Sequence, residues 1–225
     1  MNTYRNEARI AGILFLAAIV TGVLSIPFLN IIEQPDYLIQ ISANESQLII
    51  GALLVVAMAF ACAGIAIWLY PALKEHNQAM ALAAVGFRLM EAVLFMASAS
   101  VLLPLLIVSQ EYVAAGAPAA SHFQSLGNFI LGLHDALAAK TGAIAFCVGA
   151  LMYYTIFYQS KLIPRWLSGW GFIAAAMHLI SAVLVIFGSD PFSTITLVLN
   201  LPIFLNELVF AVWLIAKGFN PIKEK

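Results

Sequence analysis

The chain has 225 residues, of which 63% are hydrophobic and 9% charged, with a formal net charge of −1, whereas a soluble domain carries about 25% charged residues. So little polar material cannot cover a globular surface, which excludes a soluble fold and makes lipid the solvent. No basic, aromatic-interleaved patch points to nucleic acid, and Cys62 and Cys147, each alone in an apolar run, read as small hydrophobic residues and not as a redox pair.

A bilayer core of roughly 30 Å takes about 20 apolar residues per helix, and six segments reach that length, near residues 10–32, 48–72, 79–108, 126–158, 165–188 and 192–217. The expected fold class is therefore all-α, a polytopic membrane helix bundle forming one transmembrane domain over residues 1–225. The first segment follows Arg5 and Arg9 as a signal peptide would. Its apolar run exceeds the roughly 7–15 residues of a signal sequence and lacks a small-residue exit, so it reads as a span. Before the second segment, Ser42 to Glu45 (SANE) reads as a capping box. The fourth is too long to be only a span, and Phe123, Leu126, Ile130 and Leu133 at helical spacing suggest an interfacial start. In the sixth, Pro202 removes a backbone donor and predicts a broken or kinked wall.

Lysine and arginine alternate between loops. Arg5 and Arg9, Lys74, Lys161 and Arg165, and Lys217, Lys223 and Lys225 occupy every second connection, while the others hold Glu33, Asp36, Glu45, Glu111 and Asp190. Basic residues stay inside, so both termini are expected in the cytoplasm. Short likenesses between the first and fifth spans (AGILFLAA, SGWGFIAA) and the second and sixth (AIWL, AVWL) are within what shared membrane composition produces.

Five charges remain inside apolar runs: Arg88, Glu91, Asp135, Lys140 and Glu207. Each costs about 2.5–3.5 kcal/mol at a helix centre, so they are expected to face the bundle interior or a watery cavity. Arg88 and Glu91, three residues apart, share a helix face and can pair. Counting about 1.5 Å per residue puts Arg88, Glu91, Glu207 and His178 at similar depths, roughly 13–18 Å from the cytoplasmic end. Asn200 lies two turns from Glu207, and Asn206 beside it. His134 and Asp135 are adjacent and diverge by about 100°. Asp135 and Lys140, five apart, are expected to find partners on other helices. Two positive charges against three carboxylates leave −1, which calls for a proton, a charged histidine or a bound cation. No zinc, nucleophile-elbow, phosphate-loop or dinucleotide spacing occurs, so neither a metal site nor a cofactor is expected.

ARIAGILFL (Ala8–Leu16), FRLMEA (Phe87–Ala92), LHD (Leu133–Asp135), IPRWLSGWG (Ile163–Gly171) and NELVFAVWLIAKGFNP (Asn206–Pro221), in this order and spacing, resemble the bacterial family called domain of unknown function 4386. The resemblance covers nearly the whole chain. It implies a small polytopic inner-membrane protein, and places Arg88, Glu91, His134, Asp135, Arg165 and Glu207 on family motifs. Lys140 and His178 fall on none.

The expected function is binding or transport of a small polar or amphipathic ligand, or of protons, at a midplane pocket of Arg88, Glu91, His134, Asp135 and Glu207. Lys140, His178, Asn200 and Asn206 form a second tier. The alternatives are an intramembrane metal-dependent lipid hydrolase using His134, Asp135, His178 or Glu207, and an accessory subunit whose charges pair only with each other. Expected partners are the lipid bilayer, a small-molecule or lipid ligand and, because six spans leave little room for two moving halves, a second copy in a homo-oligomer.

Overall fold

The computed structural model describes residues 4–118, 122–191 and 193–221, and among them every regular element is helical. In chain order these are α1 (Arg5–Leu29) with a 3₁₀ turn (Asn30–Glu33), α2 (Tyr37–Ala43), α3 (Glu45–Leu73), α4 (Gln78–Ser100), α5 (Leu102–Ala114), α6 (His122–Asp135), a π-helical segment (Ala136–Gly142), α7 (Ala143–Ser160), α8 (Arg165–Ile186) and α9 (Thr194–Ala216). Six stretches are long and apolar enough to cross a membrane: α1 with its 3₁₀ turn, α3, α4 with α5, α6 through α7, α8, and α9. The protein is thus a multi-pass membrane protein, with the expected number of spans. The expected sixth span begins at residue 192, which lies outside the described residues, as do Lys223 and Lys225.

Two local expectations are corrected, the capping box and the break at Pro202, and one span is subdivided. Ser42 is the penultimate residue of α2, not a cap, and α3 starts after Asn44 without a side-chain capping bond. The short helix α2 occupies the chain that a capping box would have used. The third span is two helices, divided at Val101. Pro104, three residues on, has no N–H for the Ser100 carbonyl, so the α-helical ladder cannot pass that point intact. Pro202, by contrast, does not break α9, which runs unbroken from Thr194 to Ala216.

Successive spans pack as neighbours, α1 on α3, α3 on α4, α4 on α7, α7 on α8 and α8 on α9, and α9 closes the ring against α1. Both described ends of the chain lie at one end of this ring. There the Tyr4 hydroxyl donates to Glu75 Oε1 at 3.1 Å, and Asn220 Nδ2 donates to the Lys161 carbonyl at 2.7 Å. At the other end α2 lies across α5, with the Ser109 hydroxyl donating to the Leu38 carbonyl. The Tyr37 hydroxyl donates to Asn128 Oδ1 of α6 at 2.9 Å.

The apolar interior comes in two parts. One, near the termini, includes Phe15, Leu69, Ala84, Phe157 and Phe210, and the other, at the α2 end, includes Leu38, Leu48, Leu102, Leu105 and Ile130. On α4 the first part ends at Ala84 and the second begins at Ala99; on α3 the limits are Ile65 and Val55. Arg88, Glu91 and Cys62 fall in the interval, which is where the candidate site lies.

Candidate functional site

Arg88 and Glu91 are both only 2% exposed. Their spacing on α4 brings Arg88 Nη1 to 2.9 Å from Glu91 Oε2, an ion pair within one helix turn. The approach is not aligned as a hydrogen bond, so Arg88 Nε, Arg88 Nη1 and Glu91 Oε2 are buried without hydrogen-bond partners. Two glycine and aromatic features on α7 make room for the guanidinium. A Cβ on Gly149 would stand 3.1 Å from Arg88 Cγ and 3.2 Å from Cδ, so only glycine admits the arginine stem there without displacement. Phe146, one turn earlier, holds its ring centroid 4.8 Å from Arg88 Cζ, a cation–π contact in a site shielded from solvent.

Glu207 of α9 is half-buried as a residue, but its Oε1 is fully enclosed and lacks a partner. It lies within electrostatic reach of both Arg88 and Glu91. Tyr153 of α7, 2% exposed, is in reach of the same three charges, and its hydroxyl is likewise unpartnered. The Cys62 thiol of α3 borders Glu91, and both Cys62 and Cys147 are free and buried. Four helices therefore supply one guanidinium, two carboxyls, a phenol and a thiol to one buried region, with net charge −1 if both carboxyls are ionised. Buried polar atoms are normally hydrogen-bonded, so this concentration of ones without a hydrogen bond marks the site.

The other candidate residues lie elsewhere. Asn206, fully buried, points away from its neighbour Glu207: its Oδ1 accepts from the Tyr154 hydroxyl at 2.6 Å and its Nδ2 donates to the Leu167 carbonyl at 3.1 Å. It ties α9 to α7 and α8. His134 is clasped to α4, with Nδ1 2.9 Å from the Ser98 carbonyl and 3.2 Å from Ser98 Oγ. A carbonyl only accepts, so Nδ1 carries the proton there.

Asp135 is exposed, and Lys140 half-exposed. Neither forms an ion pair among the described residues, which corrects the expectation of partners on other helices and an inward-facing Asp135. Asp135 stands about 100° round α6 from the buried His134, and Lys140 lies within the π-helical segment that follows. Its wider turn, bridged by the Thr141 hydroxyl to the Ala136 carbonyl at 2.8 Å, resets the facing of the helix relative to an α-helical count.

His178 pairs with Asn200: Nδ1 donates to Asn200 Oδ1 at 2.7 Å. These two residues border a cavity of about 290 Å³ together with Phe95, Phe146 and Ser181. The Phe146 ring stands between the two regions, its centroid 5.5 Å from that of His178. The described residues bring no three His, Cys, Asp or Glu side chains together as metal ligands, so His134, Asp135, His178 and Glu207 do not converge as the hydrolase alternative requires.

Residues 10–218 match the model of a family described as a domain of unknown function, DUF4386. No curated protein and no solved structure matches the chain.

Proposed function

The chain belongs to the DUF4386 family, and from the geometry of its own residues we propose a proton-exchanging binding protein or carrier whose site is Arg88, Glu91 and Glu207. The observation that carries this reading is the enclosed Oε1 of Glu207 and hydroxyl of Tyr153, both without hydrogen-bond partners, within electrostatic reach of the buried Arg88–Glu91 ion pair. One guanidinium can neutralise one carboxylate; a second ionised carboxylate beside it in a dry interior is too costly to keep. A proton shared by Glu91 and Glu207 restores neutrality, and the two titrate as a pair. Gain or loss of that proton changes the charge facing Arg88 and so biases where α9 stands relative to α4 across the bundle interior, which is the two-state change this reading requires.

In this reading the chain sits in a bacterial inner membrane with both termini cytoplasmic, and the site lies near the bilayer midplane. The gathering of Tyr4, Glu75, Lys161 and Asn220 at one end of the bundle supports the common side of the termini. The alternation of lysine and arginine supports which side it is. A homo-oligomer would supply the second moving half that one ring of six spans lacks.

Infrared difference spectroscopy of the full chain in lipid nanodiscs tests the proposal. The wild type is expected to show a buried carboxylic-acid C=O band that exchanges with pH, lost in Glu207→Gln and shifted in Glu91→Gln. Proteoliposomes should lose proton flux in the same two variants. A spectrum and flux unchanged in both would refute the assignment.

A further inference from the structure

We propose that the cavity between the π-helical segment, α8 and α9 is a second, independent binding site, for a small uncharged amphiphile bearing a hydroxyl on an aromatic body. Four of its lining residues, Ala138, Ala139, Ala143 and Ala182, end at Cβ, so the space comes from short side chains on otherwise packed helices. At about 290 Å³ it lies at the small end of ligand pockets, room for a molecule of about ten non-hydrogen atoms.

Its polar equipment is specific. His178 and Ser181 stand three apart on one face of α8 and both line the cavity. Because Nδ1 of His178 donates to Asn200 Oδ1 at 2.7 Å, the neutral ring keeps Nε2 as an acceptor. Ser181 is 1% exposed, lines the cavity and makes no hydrogen bond among the described residues, so its hydroxyl is available there as donor and acceptor. One ligand hydroxyl meets both needs, donating to the imidazole and accepting from the serine. None of the lining residues is Asp, Glu, Lys or Arg, which disfavours a charged ligand. Phe95 and Phe146 supply aromatic walls, against which a flat ring gains edge or offset contacts that an alkyl chain does not.

The experiment uses 2-naphthol as the probe and the full chain in lipid nanodiscs, with empty nanodiscs subtracted for lipid partitioning. The wild type is expected to bind the probe saturably, one per chain, by fluorescence polarisation. Ser181→Ala should weaken binding about tenfold, the worth of one hydrogen bond to an otherwise unpaired group. Ala182→Phe, which fills the space, should abolish it. 2-Ethylnaphthalene, lacking the hydroxyl, should bind wild type and Ser181→Ala alike. Circular dichroism melting shows that each variant is folded. Absence of saturable binding to the wild type, or binding undiminished in both variants, overturns the proposal, as does equal loss of both probes in Ser181→Ala. Glu207→Gln should bind 2-naphthol as the wild type does, and Ser181→Ala should keep the exchanging carboxylic-acid band, so this site and the proton site stand or fall separately.

Discussion

Gly149 of α7 and Arg88 of α4 fit together as notch and peg: a Cβ on the glycine would lie 3.1 Å from Arg88 Cγ and 3.2 Å from Cδ. The guanidinium reaches its place over Phe146 because the α7 backbone lets the arginine stem pass. Replacing Gly149 with valine should push Arg88 off its rotamer and destabilise the bundle by about 1–3 kcal/mol, the usual cost of overpacking. Thermal unfolding in detergent, followed by circular dichroism, reads this directly. Val at Gly132, where a Cβ would meet nothing within 4 Å, serves as the neutral comparison.

Removing Arg88 alone leaves Glu91 and Glu207 enclosed without a counter-charge. Arg88→Met should therefore cost about 3–5 kcal/mol, and Arg88→Met with Glu91→Gln should recover a large part of it, since buried ion pairs are costlier to halve than to replace whole. Melting of the single and double variants at one pH gives the coupling. Equal stability of the two would contradict the electrostatic account.

Asn206 carries two bonds from one side chain, to the Tyr154 hydroxyl and the Leu167 carbonyl. Asn206→Leu should destabilise by about 1–3 kcal/mol because it leaves the Tyr154 hydroxyl buried without this partner and removes the added bond to the Leu167 carbonyl. Tyr154→Phe removes one bond only and should cost less, about 1 kcal/mol. Tyr154 also packs its ring on the α8 backbone at Gly171, where a Cβ would collide with it. Gly171→Ala should consequently be worse than Tyr154→Phe in the same melting assay.

Outside the spans, Tyr37 joins α2 to α6 through Asn128. Burial first, and the neighbouring Tyr112 second, raise its phenol pKa above the ordinary value. A raised folded value means the folded state holds the proton more tightly than the unfolded chain. The stabilising contribution is fully present below the unfolded pKa of about 10 and is lost as pH rises through the folded value. Tyr37→Phe should thus flatten the alkaline limb of a plot of melting temperature against pH, with the neutral limb little changed.

How much of this is legible in the chain itself depends on which physical signal each part leaves. The six spans follow from hydropathy, because a run of apolar residues has no other stable use. Arg88, Glu91 and Glu207 stand out for the opposite reason, as charges where charge is costly. Tyr153, Phe146 and Gly149 leave no such mark, since tyrosine, phenylalanine and glycine are ordinary in an apolar helix. Their role appears only when α7 is laid against α4. His178 shows the limit of counting residues: rise per residue gives depth, but rotation about the helix axis decides whether a side chain meets Glu207 or Asn200. The π-helical segment adds to that limit, because a wide turn shifts every later residue relative to an α-helical count. Ser181 was within reach, three residues after His178, but a serine in a span is usually satisfied by its own helix.

The two-part apolar interior also bears on how the protein would yield under stress. A continuous hydrophobic core transmits damage along its length, whereas here the stratum of Arg88, Glu91 and Cys62 separates the block around Phe157 and Phe210 from the one around Leu102 and Leu105. Each block can loosen on its own, with α3 and α4 as the beams that join them. The buried ion pair is then a seam between two mechanical units, the place where one end of the bundle can shift while the other holds its shape.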